Sequence, residues 1–172
     1  PQLLNLNHAD AVFDGFTCSN VYHSIANHYV LHGAVIVNAG TMRNCRIANN
    51  ANGGGGGVHL LGGLVHNCLI ETNAADWANN GVGGGVHMTG GTLSNCLVVA
   101  NWGDTGGGIY MTAGTVTHCT FSNNWAAAYY GPTTQGGGGV DMRGGRLLNC
   151  LVNRNRLTSV GGYQGGGVRL ET

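Results

Sequence analysis

The 172-residue sequence contains no lysine, and its seven basic residues are all arginines. Seven acidic residues balance them, so the formal net charge is zero and only 8% of the chain is charged. Nucleic-acid binding and electrostatic docking on a membrane both need a basic excess, which this composition does not supply. No apolar run approaches the roughly 20 residues of a membrane-spanning helix, so no membrane insertion by this segment is expected. No signal-peptide pattern opens the sequence at Pro1, so an export signal or anchor, if there is one, is expected outside residues 1–172. The missing lysine also removes the Gly-Lys step of a phosphate-binding loop, despite 33 glycines. Neither CxxC nor HExxH occurs, and no cofactor is expected. The 42% hydrophobic content still suffices for the core of a single domain.

What is there is a repeat. The stretch "GGGVHMTGGTLSNCLVVAN" at 83–101 has near-copies at 55–73, 106–124 and 137–155. Aligned on Cys18, Cys45, Cys68, Cys96, Cys119 and Cys150, the intervals are 27, 23, 28, 23 and 31 residues, which calls for a repeat architecture. From Val35, Val58, Val86, Ile109 and Val140 the next cysteine is always ten residues on. All length variation falls between an asparagine five residues after the cysteine (Asn50, Asn73, Asn101, Asn124, Asn155) and the next glycine run.

Inside a unit the apolar period is two: Val86 and Met88, then Leu93, then Cys96 and Val98, alternate with polar or small residues. That pattern makes three short strands, with Gly90 and Gly91 at the first bend and Asn95 at the second, since glycine and asparagine tolerate left-handed backbone. The fold expected is all-β: a right-handed parallel β-helix, a solenoid of about six coils of 23–31 residues with three short strands per coil. Coils about 4.8 Å apart make a rod about 29 Å long. Asn44, Asn67, Asn95, His118 and Asn149, each preceding a cysteine, are expected to bond up and down as a ladder satisfying buried polar groups. The six cysteines are expected to form one interior column of free thiols, because parallel side chains one coil apart do not bring Cβ atoms to the roughly 3.8 Å of a disulfide.

The "GGGV", "GGGI" and "HGAV" turns, with "FSNN" at Phe121–Asn124, resemble the GGA[IV] and FxxN repeats of polymorphic outer-membrane proteins and adhesin-like β-helices. "VFDGFTC" at 12–18 is similar to the "DGFTI" stretch that opens the β-helix of bacterial surface proteins. The resemblance implies a non-enzymatic structural or adhesive module, extracellular or at the cell surface. It also implies a rival, because polysaccharide lyases and hydrolases of this fold, or carbohydrate-binding relatives, use an outer strand face.

On the first strand that face carries His59, His87, Tyr110, Asp141 and Arg169 in equivalent positions. Asp141 as base, Arg169 as carboxylate-binding cation and Tyr110 as proton donor would suit a carbohydrate-active enzyme. Glycoside hydrolysis wants paired carboxylates, however, and no two of the seven acids occupy equivalent slots of adjacent coils. The plainer expectation is a solvated outer column with an Asp141–Arg169 pair contributing under about 1 kcal/mol. "GGGGVD" at 136–141 matches a calcium-roll pattern once, and such a roll needs the aspartate in consecutive turns. Stacked His59 and His87, or His23, His28 and His32 in one insertion, lack the carboxylate of a full metal site, so no metal is expected.

The variable loops hold Trp77, Trp102, Trp125, Tyr129, Tyr130 and Tyr163, and all leave the coil at one corner. Exposed aromatics give large contact area with few rotatable bonds. Trp77, Trp125, Tyr129, Tyr130 and Tyr163 are therefore the expected binding edge for a carbohydrate or host-surface ligand, while Trp102, in a short loop, is expected to fold back over its glycine turn. Residues 1–172 read as a single β-helix segment, either part of a longer solenoid or a unit that self-associates through its end coils.

Overall fold

The computed structural model describes residues 3–22, 33–52, 55–75, 81–128, 136–159 and 165–171. Strands of two to four residues follow one another, and every pairing is parallel and joins one coil to the next. The chain is a right-handed parallel β-helix. In one coil, Val86–Met88 belongs to a seven-stranded first sheet, Thr92–Ser94 to a six-stranded second and Leu97–Val99 to a six-stranded third. Beyond these three strands, Trp102–Gly103 adds a short fourth. Its equivalents, from Ala51–Asn52 to Arg156–Ser159, complete a five-stranded sheet. Segments this short carry no alternating pattern for periodicity to detect.

Left-handed backbone makes each corner. Gly91 (φ 72°) separates the first and second sheets, Asn95 (φ 51°) the second and third, and Ala100 (φ 54°) the third and fourth. The last corner also accepts Asn49, Thr72, Asn123 and Arg154 at φ 51–56°. A left-handed conformation costs a side-chain-bearing residue about 1–2 kcal/mol, so the flanking ladders impose this corner whatever residue sits there. The alternating residues fill the interior. Val86, Met88, Leu93 and Val98 are wholly buried, and Val86 and Met88 stack in register between Val58 and Leu60 on one side and Ile109 and Met111 on the other.

Cys45, Cys68, Cys96, Cys119 and Cys150 occupy one corner in successive coils, and all six cysteines are free. Each thiol of the five donates to the carbonyl two residues back, at 3.1 Å for Cys45 to Arg43 and 3.3 Å for Cys119 to Thr117. Cys150 is only half-buried. Cys18, expected in the same column, lies outside it. It pairs in register with Ile47, while Phe13 faces Met42 and Asp14 faces Arg43, so Phe16 takes the cysteine position. Alignment by residue identity misplaces the first coil because a thiol packs as a small hydrophobe and fits the inward slot that Ile47 and Ile70 fill elsewhere. Phe16 is left exposed and stacks on Phe13, with ring centroids 4.3 Å apart.

The glycine runs do more than turn the chain. A Cβ on Gly84 would collide with the carbonyl of Trp102 in the fourth strand, and one on Gly85 would meet the Asn101 amide nitrogen at 2.9 Å. The first sheet therefore approaches the fourth so closely that only glycine fits between them.

Candidate functional site

The asparagines before the cysteines sit at the second corner and are exposed, with Asn67 donating to Asn44 at 2.6 Å and Asn44 to Asp14 at 2.7 Å. His118 takes the same corner at φ 53°, its Nδ1 2.8 Å from the Thr117 hydroxyl and its Nε2 3.5 Å from the Asn149 amide. This column supplies backbone shape and relieves no burial penalty, contrary to the ladder expected there. The buried ladder is Asn50, Asn73, Asn101, Asn124 and Asn155. Each of the first four donates its side-chain amide to the next Oδ1 at 2.9–3.1 Å. The second amide hydrogen reaches back to a carbonyl of the preceding coil, as from Asn101 to Ile70 at 2.9 Å. Each Oδ1 also accepts the backbone N–H of the asparagine before it, at 2.9 Å from Asn73 to Asn101. The ladder fixes the point at which the fourth strand leaves the third sheet.

On the outer face of the first sheet, Ile36, His59, His87, Tyr110, Asp141 and Arg169 stand in register, bringing together all five candidates from that face. The solvated column expected there is largely closed. His59 is buried, the Asp141 side chain is wholly buried and the Arg169 side chain is 12% exposed. The His59 and His87 rings stack at 4.6 Å and 3°, and Tyr110 meets His87 edge-on at 5.4 Å. Burial pushes the His87 imidazole down to about 4, so this ring is uncharged at neutral pH. Burial likewise pushes the Asp141 carboxyl up, against the opposing pull of Arg169 and Arg143. Arg169 bonds Asp141 at 3.3 Å and Glu171 at 3.0 Å; Arg143 lies 3.1 Å from Glu171, 3.7 Å from Asp141 and 5.2 Å from the Tyr110 ring centre. Arg143 and Glu171 escaped sequence reasoning because they lie two residues beyond the column, one strand end away. A carboxyl clamped by two guanidiniums and shut from water has the surroundings of a structural ion pair.

The fourth sheet presents a different surface. Its outward column runs Ala51, Ala74, Trp102, Trp125, Arg156. Trp102, expected to cover its glycine turn, instead meets Trp125 edge-on at 6.3 Å and 67°. Trp125 donates its indole N–H to Thr158 at 3.2 Å and lies under the Arg156 guanidinium at 4.9 Å. The two indoles, Arg154 and Arg156 line a groove of about 340 Å³ together with the exposed residues Ala100 and Asn123. Sequence reasoning found Trp125 through its loop position but missed the two arginines, whose coil equivalents are Asn123 and Trp125. Trp77, Tyr129, Tyr130 and Tyr163, and the histidines 23, 28 and 32, lie outside the described residues. Among the described residues no three His, Cys, Asp or Glu side chains converge to hold a metal ion.

Strand order and corner chemistry define the chain as a parallel β-helix repeat protein. No family model matches it, nor does any curated protein or any solved structure.

Proposed function

We propose that the chain is a non-enzymatic structural or adhesive β-helix module of an extracellular or cell-surface protein, as its resemblance to polymorphic outer-membrane and adhesin-like repeats implies. The observation that carries this reading is the contrast in access between the two outward columns. The polar column of the first sheet is closed by burial and ion pairing, whereas indoles and guanidiniums line an open groove at the fourth. A rigid coil with one changeable, aromatic corner suits contact better than turnover. Free thiols are compatible with an oxidising setting here, because parallel side chains one coil apart do not bring their Cβ atoms to the separation a disulfide needs. Exposed Leu148, Leu151 and Leu170 on the last described coils support contact with further coils, from a longer chain or a second copy.

The test is adherence of the labelled chain to cultured cell surfaces, with Trp102→Ala/Trp125→Ala as the variant. A tenfold or greater loss of adherence with an unchanged melting curve supports the reading, and wild-type protein that adheres to nothing overturns it. The rival enzyme, using His59, His87, Tyr110, Asp141 and Arg169, takes its support from the raised Asp141 carboxyl. New reducing ends or unsaturated sugars released from a polysaccharide panel, and abolished by Asp141→Asn, would establish it instead.

A further inference from the structure

We infer that the groove at the third-to-fourth corner is a subsite for an acidic polysaccharide, its sugar rings lying on Trp102 and Trp125 and its anionic groups held by Arg154 and Arg156. This rests on the reading of the corner as a contact edge and names what the edge takes. Three observations converge. The two indoles belong to adjacent coils in register, with ring centroids 6.3 Å apart and planes at 67°. Neighbouring sugars of one chain therefore meet the two indoles in different orientations, one ring on a face and the next against an edge. The apolar face of a sugar ring stacks on an indole because its axial C–H groups are attracted to the electron-rich face.

The second observation is charge. Among the described residues no carboxylate lines the groove. The other described arginines with acidic neighbours are already paired, Arg43 with Asp14, Arg46 with Glu71, and Arg143 and Arg169 with Asp141 and Glu171. Arg154 and Arg156 have no such pair among the described residues, and both side chains are exposed. In a chain with zero net charge, two guanidiniums on one corner without a carboxylate partner among the described residues make a local cationic site, with Arg156 also lying over the Trp125 ring at 4.9 Å. The planar fork of arginine suits a carboxylate or sulfate bidentately. The third observation is backbone. Arg154 occupies the left-handed corner at φ 52°, where other coils place Asn49, Thr72, Ala100 and Asn123. The coil sets this backbone whatever the residue, and here the exposed side chain it presents beside the indoles is a guanidinium. Two basic residues are too few for a nucleic-acid backbone, which is held by many phosphate contacts.

The experiment is titration of the full chain with hyaluronate, dextran sulfate, neutral dextran and a single-stranded oligonucleotide, read by Trp fluorescence. Quenching by hyaluronate, dextran sulfate or both, with neutral dextran at least tenfold weaker, is expected, and the two anions separate carboxylate from sulfate as the group bound. Trp125→Ala and Arg154→Gln should each weaken that binding tenfold or more. Arg154→Gln removes an exposed side chain without an ion pair, so it tests the site even if Trp125→Ala disturbs the fold. Equal binding of neutral dextran overturns the anionic requirement, tighter binding of the oligonucleotide overturns the polysaccharide, and silence toward all four overturns the subsite. Cell adherence that stays Trp125-dependent while the saccharides fail to bind sinks this inference and leaves the adhesive reading standing; loss of both sinks both.

Discussion

Asn95 and Asn101 belong to the same coil and to columns repeated in every coil, yet their surroundings differ in almost every respect. Asn95 is exposed at φ 51° and its position accepts His118 one coil later and Gly15 in the first. Asn101 is 1% exposed, and its side chain donates to Asn124 at 3.1 Å and Ile70 at 2.9 Å while accepting from the Asn73 backbone and amide at 2.9 and 3.0 Å. Its column is asparagine in all five coils from Asn50 to Asn155. One residue type thus answers two physical demands: tolerance of left-handed backbone at one corner, and a primary amide with two donors and a double acceptor at the other. Only the second demand is exclusive to the amide, and its one exception is Val21 in the first coil, which offers its backbone N–H to Asn50 at 3.0 Å and has no amide to pass on.

The sharpest test of that division removes the buried amide. Asn101→Ala deletes all four side-chain hydrogen bonds, leaves the Asn73 backbone N–H and one hydrogen of its side-chain amide unsatisfied, and takes the side-chain donor from the Ile70 carbonyl. Unsatisfied buried groups cost about 1–3 kcal/mol each, so a loss of about 3–5 kcal/mol is expected from urea unfolding. A loss below about 1 kcal/mol would mean that water or a shifted strand replaces the ladder, and the contrast between the columns would collapse.

Acid should separate the ladder from the neighbouring histidine stack, since asparagine does not titrate. His87 is held down to about 4 by burial, against an ordinary value of 6.5. The unfolded chain therefore binds this proton first, so the stability His87 permits is intact above pH 6.5 and is lost as pH falls from 6.5 toward 4. The loss is on the order of 1–3 kcal/mol. Asp141 acts in the opposite sense, because its carboxyl is pushed above 3.8 and the folded chain takes that proton first. Comparing wild type with His87→Gln between pH 7 and pH 4.5 isolates the histidine contribution; a variant with the same acid slope as wild type would place the sensitivity elsewhere.

Asn95→Ala is the counterpart of the first substitution at the exposed corner. It removes no buried hydrogen bond and adds only the left-handed preference that asparagine has over alanine, so about 1 kcal/mol is expected, and Asn95→Gly should fall within about 0.5 kcal/mol of wild type. If Asn95→Ala cost as much as Asn101→Ala, the exposed column would be a ladder after all.

Much of this was legible in the sequence because the coil repeats. The period of two, the constant ten-residue step from Val86 to Cys96 and the confinement of length changes to one stretch follow from strands that must stack in register. The misassignments share a cause: a recurring letter does not guarantee a recurring environment. Cys18 matched the cysteines by letter while its strand neighbours Phe13 and Asp14 set a register that puts it opposite Ile47. His118 was the readable signal against the first asparagine column, since a fully bonded amide ladder does not tolerate an imidazole. The Trp102–Arg156 corner was half-legible: aromatics stand out by type, but that Arg154 and Arg156 join them depends on two-residue strands too short to leave a pattern. The burial of Asp141 was not legible at all, because alternation assigns a side to a residue and says nothing of what covers that side.

The smallest effect concerns the corner that lies between the two columns' concerns. Ala100 is exposed at φ 54° immediately before Asn101, so it carries the strain of a left-handed corner with neither an amide to offset it nor an asparagine's tolerance. Replacing it by glycine removes a cost of about 1–2 kcal/mol in the folded chain. Against this stands the greater freedom glycine confers on the unfolded chain, about 0.4–1 kcal/mol. The difference favours folding, and Ala100→Gly should raise stability by about 0.5 kcal/mol, read as a shift in urea midpoint with an unchanged slope. Ala126→Gly is the control: Ala126 is wholly buried in the fourth sheet without left-handed backbone, so only the unfolded-state and packing losses remain, and about 1 kcal/mol of destabilisation is expected. If both changes destabilise equally, the third corner is not strained, and the buried asparagine ladder then has nothing at that corner to hold in place.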